Sequence, residues 1–222
     1  MTKLSKEFIQ FFKELKRNNN RPWFLKNKER YEAIVKGPFE EFVGDLILKF
    51  RKIDSSISII PKEAIFRIYR DVRFSKDKIP YKEHASAVIS PGGKKDHTVP
   101  GLYIQISGEH IRVYSGIYVI ETAQLYKVRQ YIQKNLKEFK LAISDPKFKK
   151  NFGKVLGEKH KRVPKEFVET EKIEPLILNK SFYYFSTIPL SLINSPKLVD
   201  TIIARYRAAY KINSFLRQAV GQ

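Results

Sequence analysis

The apolar residues change their period twice along the chain, and this double change limits the fold more than any other feature. Before Ser55 they recur at three- and four-residue steps. Phe8, Phe11, Phe12 and Leu15 predict an amphipathic helix over residues 5–17. Asn18-Asn19-Asn20 ends it, because asparagine tolerates the left-handed conformation at a helix C-terminus. Pro22 suits the first turn of a second helix, with Trp23, Tyr31, Ile34 and Val35 as its inner face. Gly37-Pro38 breaks that helix and starts a third, on which Phe39, Phe42, Val43, Leu46, Ile47 and Phe50 recur. After Ser55 come short β-rich runs at 57–60, 64–69, 84–90, 102–107 and 111–118. Pro91-Gly92-Gly93, Gly101 and Gly108 punctuate them, and the closeness of the last two runs argues for an antiparallel hairpin. From Thr122 the helical period returns. Leu125, Val128, Ile132, Leu136 and Phe139 make one stripe down a helix over 121–140. Phe182 to Ser186 reads as one more strand, and Ser195-Pro196 as the start of a final helix to Leu216. The order predicts an α+β fold: N-terminal helices, a central antiparallel sheet, long C-terminal helices. The expected organisation is a single domain, helical over 1–55, mostly strand over 56–120, and helical with one further strand over 121–222.

Charge narrows the partners. Forty-three Lys and Arg oppose 23 Asp and Glu in 222 residues, a net +20. A surplus of that size points to an anionic partner: nucleic acid, anionic lipid or a phosphorylated ligand. Cysteine is absent, which excludes a disulfide scaffold, a thiolate metal site and a cysteine nucleophile. Lys6, Glu7, Lys13 and Glu14 interrupt any signal-peptide core, and no apolar run approaches the roughly 18 residues of a membrane span. A cytoplasmic protein without a membrane partner is expected. The polar side of the 121–140 helix is rich in Lys, Arg and Gln, so its stripe should pack on the sheet and leave a monomer or weak dimer.

The densest chemistry lies in residues 67–82, RIYRDVRFSKDKIPYK. Arg67, Arg70, Arg73, Lys76, Lys78 and Lys82 face only Asp71 and Asp77 there. Arginine forks match phosphate and carboxylate oxygens, so the basic residues, with His84 just beyond, are candidate ligand-binding groups. Asp71, Asp77 and Tyr81 are the candidate catalytic groups, with Glu83 as a further base or metal candidate. If residues 67–73 are extended, Arg67, Tyr69, Asp71 and Arg73 share one face, and Arg70 points inward among Ile68 and Val72. The competing reading is a buried Arg–Asp network that braces the sheet.

The spacing R-x-x-R-D-x-R-F-x-x-D-K-x-x-Y is carried by Arg67, Arg70, Asp71, Arg73, Phe74, Asp77, Lys78 and Tyr81. It resembles the signature of a family of mostly bacterial proteins known as domain of unknown function 2461. Asn19-Asn20-Arg21, Trp23-Phe24, Asn27-Lys28 and Tyr31 are similar to its N-terminal block. Lys82, Gly101-Leu102-Tyr103, Gly116, Arg129, Arg162-Val163-Pro164 and Phe167 are similar to later blocks. The resemblance implies one domain and a shared site. It implies no reaction and no cofactor.

Weaker signals remain. Residues 145–165 carry eight basic side chains against Asp145 and Glu158, with Phe148, Phe152 and His160 interleaved. Such a stretch can track a nucleic-acid backbone, or be a solvated face whose phenylalanines belong to the core. Gly153 to Lys159 lacks the spacing of a phosphate loop. His84, His97, His110 and His160 show no metal-binding spacing, so no zinc site is expected. Pro91 to Lys95 reads as a mobile hairpin tip. The leading expectation is an arginine-rich pocket for a phosphorylated or other anionic ligand, which an enzyme on phosphate esters or nucleotides would also need. The rivals are a nucleic-acid-binding module built on 145–165 and a purely structural signature.

Overall fold

The computed structural model describes residues 3–73, 75–95 and 99–221. Helices α1 (Lys6–Arg17), α2 (Arg21–Lys26), α3 (Lys28–Tyr31), α4 (Gly37–Arg51) and the single turn α5 (Pro61–Ala64) come first. Strands β1 (His84–Ile89), β2 (Gly101–Ser107) and β3 (Ile111–Ile117) follow. Helices α6 (Thr122–Lys134), α7 (Leu136–Ile143), α8 (Pro146–Phe152) and α9 (Val168–Ile173) separate them from β4 (Phe182–Ile188). Helices α10 (Lys197–Ala208) and α11 (Tyr210–Ala219) close the chain. The strands lie in the order β1-β2-β3-β4, each pair antiparallel, which makes the fold α+β. Among the described residues no helix is long and apolar enough to cross a membrane.

Strand alternation gives the sheet two unlike faces. Ala87 faces Ile104, Ile104 faces Val113, and Ile106 faces Ile111, which in turn faces Ile188. These side chains are buried under α1, α4 and α10. Ile117, Phe182 and Tyr184 continue the same face under α6, α7, α8 and α11. The alternate positions, among them Val88, Tyr103, Arg112, Tyr114 and Phe185, are half-buried and belong to neither core cluster.

Several elements depart from the sequence expectation. The 121–140 stripe is split at Asn135, whose side-chain amide donates to the Tyr131 carbonyl at 3.0 Å and so ends α6. The last helix breaks at Ala209, where φ −94° and ψ 4° leave the helical basin. Asn18 ends α1 with φ −131°, not in a left-handed conformation, and Asn20 instead caps α2 by accepting from Trp23 N–H at 3.0 Å. Gly37-Pro38 does not break its helix. A π turn over Glu32–Lys36 passes straight into α4, with Gly37 N–H on the Glu32 carbonyl. This wider turn accommodates a proline that has no N–H to give. Residues 57–60 form no strand, because Pro61 starts α5 and Glu63 folds back to accept from Ile60 N–H at 3.0 Å.

Candidate anion-binding cleft

Residues 65–69 and 81–87 form an irregular antiparallel ribbon on the free side of β1. Ile65 bridges Ala87 and Tyr69 bridges Tyr81. Between these bridges one arm advances four residues and the other six, so the extra two lie between Lys82, whose N–H donates to the Ile68 carbonyl at 2.8 Å, and Ser86, whose carbonyl accepts from Phe66 N–H at 3.0 Å. A bulge bends the strand and re-aims its side chains. It explains why the expected strand over 64–69 is reduced to two bridges.

The ribbon is anchored at Tyr81, which is 3% exposed and stacks on Phe24 at 4.1 Å between ring centroids. The Asn19 side chain holds its backbone from both sides, donating to the Tyr81 carbonyl at 3.0 Å and accepting from its N–H at 3.1 Å. Tyr81 is thus a packing residue whose hydroxyl is pushed up by burial.

Beyond the anchor, the tip of the ribbon satisfies its own charges. Arg70 pairs with Asp77 at 2.8 Å and donates to the Ile79 carbonyl at 3.1 Å. Arg73 forks onto Asp71 through Nε at 3.0 Å and Nη2 at 2.7 Å. Lys78 donates to the Val72 carbonyl at 3.0 Å. The arginines hold the carboxyls of Asp71 and Asp77 below the usual range. The Arg73–Asp71 pair is solvent-exposed and the Arg70–Asp77 pair half-exposed, so among the described residues the tip forms no buried network and lines neither of the clefts at the base. Lys76 is exposed, and Phe74 of the signature lies outside the described residues, as does His97.

The base of the ribbon is different. A cleft of about 240 Å³ is lined by Lys62, Arg67, His84 and Lys94 together with Phe12, Tyr31, Phe39 and Phe66, and Glu40 is its carboxylate. A second, wider cleft of about 590 Å³ meets it at His84 and Phe12 and carries Lys13, Lys16, Arg17 and His110 against Glu83 and Glu109. Arg67 has no hydrogen bond or ion pair among the described residues. Half-buried Lys82 lies over the Phe66 ring at 5.0 Å. Burial and the neighbouring Arg67 both push its ammonium down from the usual lysine value. Burial, Lys82 and His110 push His84 down to about 4, so its imidazole is neutral at pH 7.

Of the sequence-predicted site residues, Arg67 and His84 line the cleft at the base, and Lys82, which lines neither cleft, lies beside it over the Phe66 ring. Arg70, Arg73, Lys76, Lys78, Asp71 and Asp77 stay on the tip, and none of them lines either cleft.

Residues 7–215 match the family described as Conserved hypothetical protein (DUF2461). The chain belongs to this family. The match takes in the whole ribbon and every strand. No curated protein and no solved structure matches the chain.

Other sequence candidates fall elsewhere. The lysines of 145–165 are exposed, but Phe148 and Phe152 are buried against Tyr184 at 4.9 and 5.2 Å and offer no stacking surface. Arg129 is 6% exposed, donates from Nε to the Ile177 carbonyl at 2.9 Å, and lines neither cleft. The Pro91 to Lys95 turn is docked rather than loose. Gly93 adopts φ 58° tight against the Glu63 backbone, and Lys94 donates to the carbonyls of Lys62 and Ile65 at 2.7 and 3.0 Å. Sequence reasoning missed Lys62, Phe66 and Lys94, which line the cleft from α5, the ribbon and the docked turn. Charge in a turn next to β1 was the available signal.

Proposed function

We propose that this protein binds a phosphorylated ligand in the cleft at the base of the ribbon. Arg67 and Lys82 are the anion-holding pair, with His84 and Lys62 beside them. The observation that carries the reading is that Arg67, which lines the cleft, and half-buried Lys82 beside it have no side-chain hydrogen bond or ion pair among the described residues. Folded proteins rarely leave cations so arranged unless an anion is to relieve them, and functional sites are where such arrangements gather. Arginine supplies a planar fork, lysine a point charge, and neutral His84 one donor and one acceptor. Asp71 and Asp77, held by arginines on the tip, take no part in this reading.

Titration calorimetry with inorganic pyrophosphate tests it. Arg67→Gln and Lys82→Gln should each weaken binding at least tenfold, as expected for the loss of one charge-assisted contact. Their melting temperatures should stay the same or rise. Arg73→Gln should bind like the wild type. Wild-type binding no stronger than that of an unrelated protein of equal charge, or an equal loss in Arg73→Gln, would refute the proposal.

A further inference from the structure

The sheet face turned away from the helices carries a row of aromatic rings from the ribbon, β2, β3 and β4, with none from β1 between them. In register, Tyr103 of β2 faces Tyr114 of β3, and Tyr114 faces Phe185 of β4. Their centroids are 5.7 and 5.3 Å apart. Phe66, from the ribbon beyond β1, extends the row at 5.9 Å from Tyr103. All four rings are half-buried, and none joins a core cluster. A guanidinium or ammonium sits over each end: Lys82 over Phe66 at 5.0 Å and Arg112 over Phe185 at 5.3 Å. Arg112 Nε has no hydrogen-bond partner among the described residues.

An outward face on an antiparallel sheet is ordinarily polar, so four adjoining rings capped by cations ask for an occupant. Charge decides which. A second copy of a chain with net +20 would bring like charges together, whereas a polyanion is attracted. An apolar partner would leave the two cations unmatched. An occupant with flat rings and regularly spaced negative charges meets both demands. Aromatics on a four-stranded sheet can stack two or three unpaired bases, and every base offers a π face. The row also runs into the proposed phosphate cleft, because Phe66 lines that cleft and carries Lys82. We infer that the aromatic face binds single-stranded nucleic acid, its bases on Tyr103, Tyr114 and Phe185 and a backbone phosphate at Arg67 and Lys82. The phosphate part rests on the function proposed above, and the base-stacking part stands separately.

The test uses fluorescein-labelled ten-nucleotide oligo-dT and oligo-U, a ten-unit abasic deoxyribose-phosphate chain, and a ten-base-pair duplex, each titrated at two salt concentrations by anisotropy. The wild type should bind at least one of the two single strands ten or more times more tightly than the abasic chain and more tightly than the duplex. Tyr114→Leu and Phe185→Leu keep apolar bulk but remove the ring. Each should lose between about five- and a hundredfold in single-strand binding, with abasic binding unchanged. Arg67→Gln and Lys82→Gln should weaken single-strand and abasic binding alike. If those two variants bind as the wild type does while the leucine variants lose affinity, the cleft reading fails and the aromatic face survives. If the leucine variants bind normally, or single-strand and abasic affinities are equal, the aromatic face is refuted whatever the cleft does. Should a leucine variant fail to fold, as judged by circular dichroism, photocrosslinking the wild type to 5-iodouridine oligonucleotides decides the matter. Crosslinks in the peptides that carry Tyr103, Tyr114 or Phe185 support the inference, and crosslinks only within 145–165 overturn it.

Discussion

The ribbon between α5 and β1 carries basic side chains at both of its ends and treats them in opposite ways. At the tip, Arg70 and Arg73 are closed onto Asp77 and Asp71 within a few residues of chain. At the base, Arg67 and Lys82 repel one another, and neither side chain has a hydrogen bond or ion pair among the described residues. The tip holds more charge, yet the base holds more unrelieved charge, and a ligand responds to the second quantity. Density of charged letters is therefore a poor guide to an anion site until the local pairings are known. An aspartate two residues from an arginine neutralises it without help from the rest of the fold.

If tip and base are separate, only a change at their common anchor should disturb both. Tyr81→Ala removes the ring stacked on Phe24 and leaves a cavity where the ribbon meets the core. Truncating a buried aromatic typically costs about 3–5 kcal/mol. In a chain of this size that is a fall in melting temperature of roughly 10 °C. Pyrophosphate affinity should fall with it, because Lys82 is the next residue. A variant that melts like the wild type would show that the ribbon is held by something other than Tyr81.

Acid should pull the two ends apart on the pH axis. His84 is held at about 4 in the folded protein, against about 6.5 in an unfolded chain. Between those values the unfolded state binds more protons, so stability is lost as pH falls through the window. The expected loss at the base is on the order of 2 kcal/mol between pH 6.5 and 4. At the tip the sign is the same but the window is lower. Asp71 and Asp77 titrate below the ordinary carboxylate value when folded, so their contribution is present above about pH 4 and fades only below it. Melting curves from pH 7 to 3 should fall in two stages, and His84→Gln should flatten the upper one alone. An unchanged upper stage in that variant would mean that another group carries it; His110 and His160, also lowered by burial, are the ones to replace next.

Much of the scaffold was legible in the sequence, because periodicity is a local signal. Phe8, Phe11, Phe12 and Leu15 do line one buried face of α1, and the runs at 84–90, 102–107 and 111–118 are strands in one sheet. The helix breaks at Asn135 and Ala209 were missed because each leaves the apolar stripe in phase on both sides. The site was legible only in part. Arg67 and Lys82 sit in the stretch that the charge pattern singles out and His84 just beyond it, but nothing local reveals the bulge that follows Lys82. Tyr103, Tyr114 and Phe185 are plain in the sequence, yet their meeting in one row is fixed by strand register, and register is a tertiary fact.

The smallest effect is expected where the charge is densest. Arg73 and Asp71 form a well-aligned fork, but their side chains are 77% and 42% exposed. Water already solvates both partners, so pairing them gains little over leaving them apart, and salt screens what is gained. The contact also closes across only two residues, so breaking it frees little of the chain. Arg73→Gln and Asp71→Asn, singly and together, should move the melting temperature by no more than about 2 °C, less than most buried substitutions. The double variant should equal the sum of the singles at 0.5 M salt, where the pair is screened. Pyrophosphate binding at the base should be untouched in all three. A large loss of stability in either single variant would give the tip the bracing role that its exposure argues against. A large loss of binding with melting intact would erase the difference between the two ends of the ribbon and move the site outward to the arginines of the signature.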